Sequence, residues 1–384
     1  MKKIFKGDII YTKNPNSFEV HKDSYLIVED GVVKDILHYI ESIPSDYQYL
    51  DYTNKLIIPG FVDIHLHSSQ FLNMGLGMDK ELIPWLNTYT FPEEAKFRDL
   101  EYAKTAYTKF VSDLIKKGTT SSVIYSTIHK ESTMLLMDLL DKANLRAYVG
   151  KVNMDRNTID ELCEKTNNSI EETEEIILSS KSNRVKPIIT PRFVPSCSPE
   201  LMEGLSKLAI KYNVPVQSHL SENTNEVKWV KELHPDIENY ASVYNKFGLF
   251  GQTKTVMAHC IYTSDEEIEL MKKNGVFAAH CAISNFNLSS GIMPVRKYLD
   301  YGVDVGLGSD ISGGNTLSIP QSIVSTIQAS KMKWLESNKK LYPLSFSEVF
   351  YMATKGGGKF FEHVGSFERG YNADLLIIDD TNLS

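Results

Sequence analysis

Short apolar runs that end in a metal-binding type of side chain recur along this chain of 384 residues. The runs end in His65 and His67, in His219, in His259, in His280 and in Asp310. Helical patterns such as 199–211 and 264–273 lie between them. Strands that alternate with helices indicate a parallel sheet. Because the polar residues stand where the strands end, we predict a TIM-like (β/α)8 barrel, which builds its site at that edge.

The pair His65 and His67 follows the buried-strand pattern of residues 56–58 and a Pro59-Gly60 turn. On an extended backbone, residues two apart point to the same side. Two neutral imidazoles held on one face can chelate a divalent metal ion. The alternative is a pair of ordinary core histidines, since such pairs also occur by chance. The further histidines and the aspartate at strand ends favour the metal.

Charge and composition exclude several classes of function. The 41 basic and 49 acidic residues give a net charge of −8, which argues against binding to a nucleic-acid backbone. No apolar run approaches the ~20 residues of a membrane span. The first eight residues lack the apolar core of a signal peptide. Four cysteines without a pairing framework indicate reduced thiols, so we expect a cytoplasmic protein.

The two ends of the chain carry strand patterns of their own. Residues 1–58 contain β-branched runs around the hairpin signal Glu29-Asp30-Gly31, and 372–379 is again strand-like. We therefore predict a small β-sandwich domain built from residues 1–58 and 356–384, with the barrel over 59–355. The triplet at 356–358 lacks the Gly-Lys-Ser/Thr ending of a phosphate loop, which favours a helix stop or tight packing.

Three imidazoles and one carboxylate, those of His65, His67, His219 and Asp310, suit a catalytic Zn²⁺ with a water in an open position. The same ligands also suit Fe²⁺. The alternative for Asp310 is a residue of a strand-end turn. For His219 it is a core histidine without a ligand.

Glu222 stands three residues after His219, close enough to handle protons while the histidine holds the metal. Its alternative role is to begin the helix that follows. His259 should face the same cavity and bind the water or the substrate, whereas packing and catalysis are equally good interpretations of His280. A metal site with such acid–base groups activates water near neutral pH and fits attack on an electron-poor ring carbon with loss of ammonia.

Several segments together resemble the amidohydrolase superfamily and, within it, the guanine deaminases. They are PGFVDIHLHSSQ (59–70), YTFPEEAKF (89–97), KPIITPRF (186–193), QSHLSEN (217–223), TVMAHC (255–260), HCAISNFNLSSG (280–291) and GLGSDISGG (306–314). The resemblance implies hydrolysis of guanine to xanthine and ammonia by a homodimer. It implies zinc on the four ligands above, Glu222 as the proton shuttle, His259 beside the attacking water, and substrate contacts from Gln70, Trp85, Arg192, Phe193, His219 and Glu222.

Two alternatives stay open at the level of the sequence. The same metal set would serve a hydrolase of another amino- or chloro-substituted purine, pterin or triazine ring. A metal-free scaffold on the same fold is the second, because a fold does not fix a function. For Gln70 and Arg192, surface polarity or a salt bridge is the alternative to substrate binding. For Trp85 and Phe193, it is core packing.

Overall fold

The computed structural model describes residues 1–379, and the chain in that range forms fifteen strands. The strands are β1 (Lys2–Asn14), β2 (Ser17–Glu29), β3 (Val32–Leu37), β4 (Gln48–Pro59), β5 (Phe61–His67), β6 (Thr119–Tyr125), β7 (Arg146–Gly150), β8 (Val152–Asn153), β9 (Val185–Pro187), β10 (Thr190–Pro191), β11 (Val216–Leu220), β12 (Thr255–His259), β13 (Phe277–His280), β14 (Val305–Leu307) and β15 (Leu375–Ile378). The alternation predicted from the sequence is therefore present.

Thirteen α-helices lie between these strands in the described range. They are α1 (Leu82–Trp85), α2 (Phe91–Ala95), α3 (Leu100–Lys116), α4 (Lys130–Lys142), α5 (Thr166–Ser179), α6 (Pro199–Tyr212), α7 (Thr224–Leu233), α8 (Tyr240–Lys246), α9 (Asp265–Asn274), α10 (Ala282–Asn287), α11 (Val295–Tyr301), α12 (Ile319–Glu336) and α13 (Phe346–Tyr351). Helices α6 and α9 cover the two predicted helical patterns. Within residues 1–379, no helix combines the length and apolar character that crossing a bilayer requires.

Eight parallel strands form the barrel. Strands β5, β6, β7 and β9 make one four-stranded sheet, and β11, β12, β13 and β14 make another. On one side the sheets meet where the Gln217 amide donates to the Ile189 carbonyl at 2.9 Å. On the other side the Asp310 amide donates to the His65 carbonyl at 2.9 Å. These bonds close the ring, and the predicted (β/α)8 barrel is confirmed.

Glycine residues pack closely against Ile64, which is fully buried. A Cβ added to Gly306 would lie 2.7 Å from Ile64 Cδ1 and 2.9 Å from the Gly357 Cα. A Cβ on Gly358 would lie 2.1 Å from the carbonyl oxygen of Val364. Of the two interpretations of the glycine triplet, tight packing is therefore confirmed. The helical backbone ends at residue 358, the last residue of the triplet, so the helix stop that the sequence predicted is present as well.

Within residues 1–379 the ends of the chain share one five-stranded sheet in the order β15-β4-β1-β2-β3, so the small β domain predicted from the two ends is present as a single sheet. The β2–β3 hairpin turns at Asp30 and Gly31, with φ of 52° and 77°, as the sequence predicted. One face of the sheet buries Ile9 and Ile57. The chain passes from β4 directly into barrel strand β5, so the small sheet leads into the first two metal-ligand candidates. The domain boundaries at 58/59 and 355/356 stay a prediction.

Candidate active site

The strand-end residues predicted from the sequence meet at one point of the barrel. His65 and His67 lie on β5, and His219 lies on β11. Asp310 follows β14, with its Oδ1 3.1 Å from His65 Nε2 and 3.4 Å from His67 Nε2. The Nε2 atoms of His67 and His219 are 3.2 Å apart. All four residues are buried, so the barrel places three imidazoles and a carboxylate together in its interior.

The spacing of these atoms fits a divalent cation. Ligand atoms about 2.0–2.1 Å from a tetrahedral zinc lie roughly 3.3–3.4 Å from one another. The three distances above fall close to that value. Among the described residues, the His65 Nε2 atom is buried without a hydrogen-bond partner. Nitrogen and oxygen donors of this kind suit Zn²⁺ or Fe²⁺, so these residues could hold the metal.

The protonation states of the four residues also suit a metal. Burial lowers the pKa of His65 to about 4, and it lowers the pKa of His67 and of His219 as well. Burial alone would raise the pKa of Asp310, but the imidazoles beside it hold that pKa well below its usual range. Near neutral pH the set is therefore three neutral rings and one carboxylate, the forms in which these side chains bind metals.

Hydrogen bonds fix the orientation of two of the rings. His219 Nδ1 lies 2.6 Å from the backbone carbonyl of Arg192, which can only accept, so Nδ1 carries the proton and Nε2 presents its lone pair to the site. His259 Nδ1 donates to Asn285 Oδ1 at 2.9 Å. His259 Nε2 then faces Glu222 Oε2 at 3.4 Å and Asp310 Oδ2 at 3.6 Å. This ring therefore stands between the two carboxylates.

Glu222 projects into the site and does not cap the helix that follows it. At the start of α7 the Asn223 side chain accepts from the Asn225 amide, and Glu226 Oε2 accepts from the Glu222 and Asn223 amides. The capping alternative for the Glu222 side chain is therefore wrong. Its Oε1 accepts from Ser290 Oγ at 3.1 Å. Burial raises the pKa of Glu222 to about 7, which suits a group that takes up and releases protons.

The pKa of His259 shifts in the opposite direction from the pKa values of the three candidate ligand histidines. Burial disfavours its charged form, but the carboxylates of Glu222 and Asp310 outweigh that effect and raise the pKa of His259. A ring that can carry a proton beside two carboxylates suits hydrogen bonding to a water. His280 is buried and is absent from the residues that line the cavity. Neither of its ring nitrogens has a hydrogen-bond partner within residues 1–379.

A cavity opens directly above these groups, and every residue predicted to touch the substrate lines it. The lining residues are His67, Gln70, Leu82, Trp85, Leu86, Arg192, Phe193, His219, Glu222, Glu226, His259, Leu288 and Asp310. Five of these thirteen residues are leucines or aromatic residues, and eight carry polar or ionisable groups. A concave site that combines apolar surface with convergent polar groups is typical of small-molecule binding.

Sequence reasoning missed Glu94, which lies on α2 behind the polar side of the cavity. Its Oε2 accepts from Arg192 Nη1 at 2.5 Å, and its Oε1 accepts from Gln70 Nε2 at 2.8 Å. The salt bridge considered for Arg192 is thus present, but it is buried at the cavity and not on the surface. The signal was the acidic pair Glu93-Glu94 in the otherwise largely apolar and aromatic segment 89–94.

Asp63 connects the two halves of the ligand set. Its Oδ1 accepts from the His65 amide at 3.2 Å and from the Ser309 amide at 3.0 Å. Ser309 precedes Asp310, so one carboxylate binds the backbone beside a ligand on β5 and beside a ligand after β14. Asp63 therefore orients the backbone on which His65 and Asp310 stand.

Comparison of the sequence and the structure with known proteins shows the family of this chain. The model of the amidohydrolase family matches residues 56–384. A guanine deaminase from Dictyostelium discoideum is 42% identical and covers 98% of this chain and 88% of that protein. The guanine deaminase from Homo sapiens is 38% identical over 98% of this chain and 86% of its own. A crystal structure of guanine deaminase from C. acetobutylicum, with guanine bound in its active site, is 56% identical, superposes with a TM-score of 0.98, and covers 100% of this chain and 92% of that chain. The chain therefore belongs to the amidohydrolase family, in which it groups with the guanine deaminases.

Proposed function

We propose that this chain hydrolyses guanine to xanthine and ammonia, with Zn²⁺ held by His65, His67, His219 and Asp310. One observation carries the proposal. Three of the four ligand candidates, His67, His219 and Asp310, line one cavity together with Gln70 and Arg192, the two residues that donate hydrogen bonds to Glu94. The guanine deaminases of similar sequence, one of them with guanine bound, support the choice of substrate.

Two aromatic residues of the cavity lining can pack against a purine ring. Trp85 and Phe193 offer apolar surface to the ring. The guanidinium of Arg192 is a rigid fork of N–H donors, which suits the O6 and N7 acceptors of guanine. The amide of Gln70 can both donate and accept. We therefore assign substrate contacts to Gln70, Trp85, Arg192 and Phe193, with His219 and Glu222 near the reacting carbon.

The proton transfers follow from the positions of three side chains. When a zinc ion is bound, it lowers the pKa of water enough to supply a nucleophile at neutral pH. Asp310 Oδ2 and His259 Nε2, 3.6 Å apart, can both reach one oxygen atom and hold it for attack on C2. Glu222 accepts a proton from the water and delivers it to the adjacent ring nitrogen. Asp310 accepts the remaining hydroxyl proton, which passes to the amine as the C–N bond breaks and ammonia leaves.

The test is an assay of ammonia and xanthine with purified, zinc-loaded protein and guanine. We expect equal amounts of both products, loss of activity after chelation, and recovery with added Zn²⁺. A panel with adenine, a pterin and a chlorinated triazine tests the alternative substrates. Release of ammonia or chloride from one of these rings, but not from guanine, would contradict the assignment. A metal analysis that finds neither zinc nor iron would favour the metal-free scaffold.

Arg192→Ala adds a second test of the substrate. For guanine we expect kcat/KM to fall severely, since a site that hydrogen-bonds a polar edge depends on that bond far more than an apolar pocket does. Unchanged turnover of guanine by this variant would contradict the assigned contact.

We also propose a homodimer, a cytoplasmic location and a role in purine catabolism. The four cysteines lie in the described range without a disulfide, which supports a reducing compartment. Light scattering on the purified protein tests the dimer, because a monomer at micromolar concentration would contradict it. The domain division into 1–58 with 356–384 and 59–355 is tested by limited proteolysis at those boundaries.

A further inference from the structure

We propose that Glu94 is a positioning residue that sets specificity at the sixth position of the purine ring. It fixes the Gln70 amide and the Arg192 guanidinium so that the cavity favours a ring carbonyl and rejects a ring amine at that position. The inference rests on the proposed function and extends it to a residue outside the metal site.

The Glu94 side chain pairs with two residues of the cavity lining. The carboxylate is 3% exposed and lies between two donors, Gln70 Nε2 at 2.8 Å and Arg192 Nη1 at 2.5 Å. An ionised carboxylate only accepts hydrogen bonds. Each of its oxygen atoms therefore requires an N–H group opposite it. The buried guanidinium of Arg192 in turn compensates the charge of the carboxylate.

Two hydrogen bonds fix the orientation of the Gln70 amide. The Ser312 amide donates to Gln70 Oε1 at 3.2 Å, on the opposite side from Glu94. A flipped amide would place Oε1 against the carboxylate and Nε2 against the Ser312 N–H group, so both bonds would become repulsive. The two partners together allow one orientation. One N–H and one lone pair of the amide then remain for a ligand.

The guanidinium of Arg192 is the second group of donors in the cavity lining. Arg192 lies over the ring of Phe91, with its Cζ 5.0 Å from the ring centroid, and it lines the cavity beside Gln70. Of its five N–H donors, Nη1 supplies the bond to Glu94. Its further donors and the free N–H of Gln70 make this wall rich in donors. A purine edge with a carbonyl and a ring nitrogen, which are both acceptors, matches it, whereas an exocyclic amine places donors against donors.

Glu93 provides a matched control. It is the adjacent residue, it is also buried, and it carries the same charge. Its carboxylate pairs with Lys96 Nζ at 2.6 Å and accepts from the Tyr102 hydroxyl, and it does not line the cavity. Glu93→Gln and Glu94→Gln therefore make the same chemical change at neighbouring positions of α2, and only the second change reaches the polar wall.

The experiment compares guanine with 2,6-diaminopurine, which keeps the 2-amino leaving group and replaces the carbonyl at position six by an amine. We expect Glu94→Gln to lower kcat/KM for guanine by about 10²-fold and to lower the ratio of the two kcat/KM values at least ~10-fold. Metal content should stay at the wild-type level. Glu93→Gln should keep the ratio within about twofold, because it breaks no bond to the wall. An equal loss on both substrates, or an unchanged ratio, would overturn the proposal.

Binding measurements separate this proposal from the proposed function. Hypoxanthine and adenine lack the 2-amino group and differ at position six, so calorimetry with these probes needs no turnover. We expect the wild-type protein to prefer hypoxanthine and Glu94→Gln to lose at least ~10-fold of that preference. If the wild-type protein prefers hypoxanthine but releases no ammonia from guanine, the proposed guanine hydrolysis is refuted, whereas the proposed role of Glu94 in specificity at position six is not. A wild-type protein without the preference would refute the role of Glu94.

Discussion

Asp63 binds the backbone beside two of the proposed metal ligands, His65 and Asp310. Substitution of Asp63 tests quantitatively how much these backbone bonds contribute. Its side chain is fully buried, and Oδ1 accepts from the amides of His65 and Ser309 at 3.2 and 3.0 Å. Asp63→Ala removes the acceptor and leaves two buried N–H groups without a partner. Each such group costs about 1–3 kcal/mol, so the variant should lose about 2–6 kcal/mol of unfolding free energy. That is a large part of the roughly 5–15 kcal/mol that stabilises a typical domain.

Asp63→Asn is the matched control, since it keeps the Oδ1 acceptor and nearly the same volume. Within residues 1–379, Asp63 Oδ2 has no hydrogen-bond partner, so replacing this oxygen by an amide breaks no bond. We expect the Asn variant to keep the wild-type metal content, because both backbone bonds to Oδ1 remain, while each new amide N–H donor without a partner costs about 1–3 kcal/mol in urea unfolding. We expect the Ala variant also to bind less metal, because both amides belong to the segments that carry His65 and Asp310. An Ala variant with wild-type stability and one bound metal per chain would refute the reasoning.

Three further predictions test other parts of the molecule. Glu222→Gln should lower kcat by about 10²–10⁴-fold through loss of the proton shuttle while metal content stays constant; steady-state assays and metal analysis check this, and a smaller loss contradicts the assigned role. Gly358→Ala should destabilise the fold by at least ~1–3 kcal/mol, because its Cβ meets a backbone carbonyl at 2.1 Å, whereas Gly357→Ala meets no atom closer than 3.2 Å and should cost less in thermal unfolding. Burial lowers the pKa of His129 to about 4, below its value of about 6.5 in an unfolded chain, so the unfolded state binds the extra proton and stability falls as pH drops from 6.5 towards 4. His129→Gln should reduce that fall in urea titrations at pH 7 and pH 5, and an unchanged slope contradicts the assignment.

The clustering of the four proposed metal ligands was predictable from the sequence because its signals are local. Residues two apart on a strand share a side, and a polar residue that ends an apolar run lies at the strand end. These rules placed His65, His67, His219 and Asp310 correctly relative to one another. They did not decide whether Glu222 caps a helix, since a glutamate before a helix suits either role. The contacts of Asn223 and Glu226 decided it.

The sequence by itself determined the alternation of strands and helices, the edge of the barrel that carries the site, and the chemical types of the ligand side chains. Only the tertiary structure decided which carboxylate stands behind the substrate wall. The chain contains 49 acidic residues, and Glu94 is 24 positions from Gln70 and 98 positions from Arg192. No local periodicity connects residues at such separations. Glu94 meets Gln70 and Arg192 only when folding packs α2 against the segments that carry these two residues. A buried charge is stable only where folding brings a partner of opposite charge into contact with it.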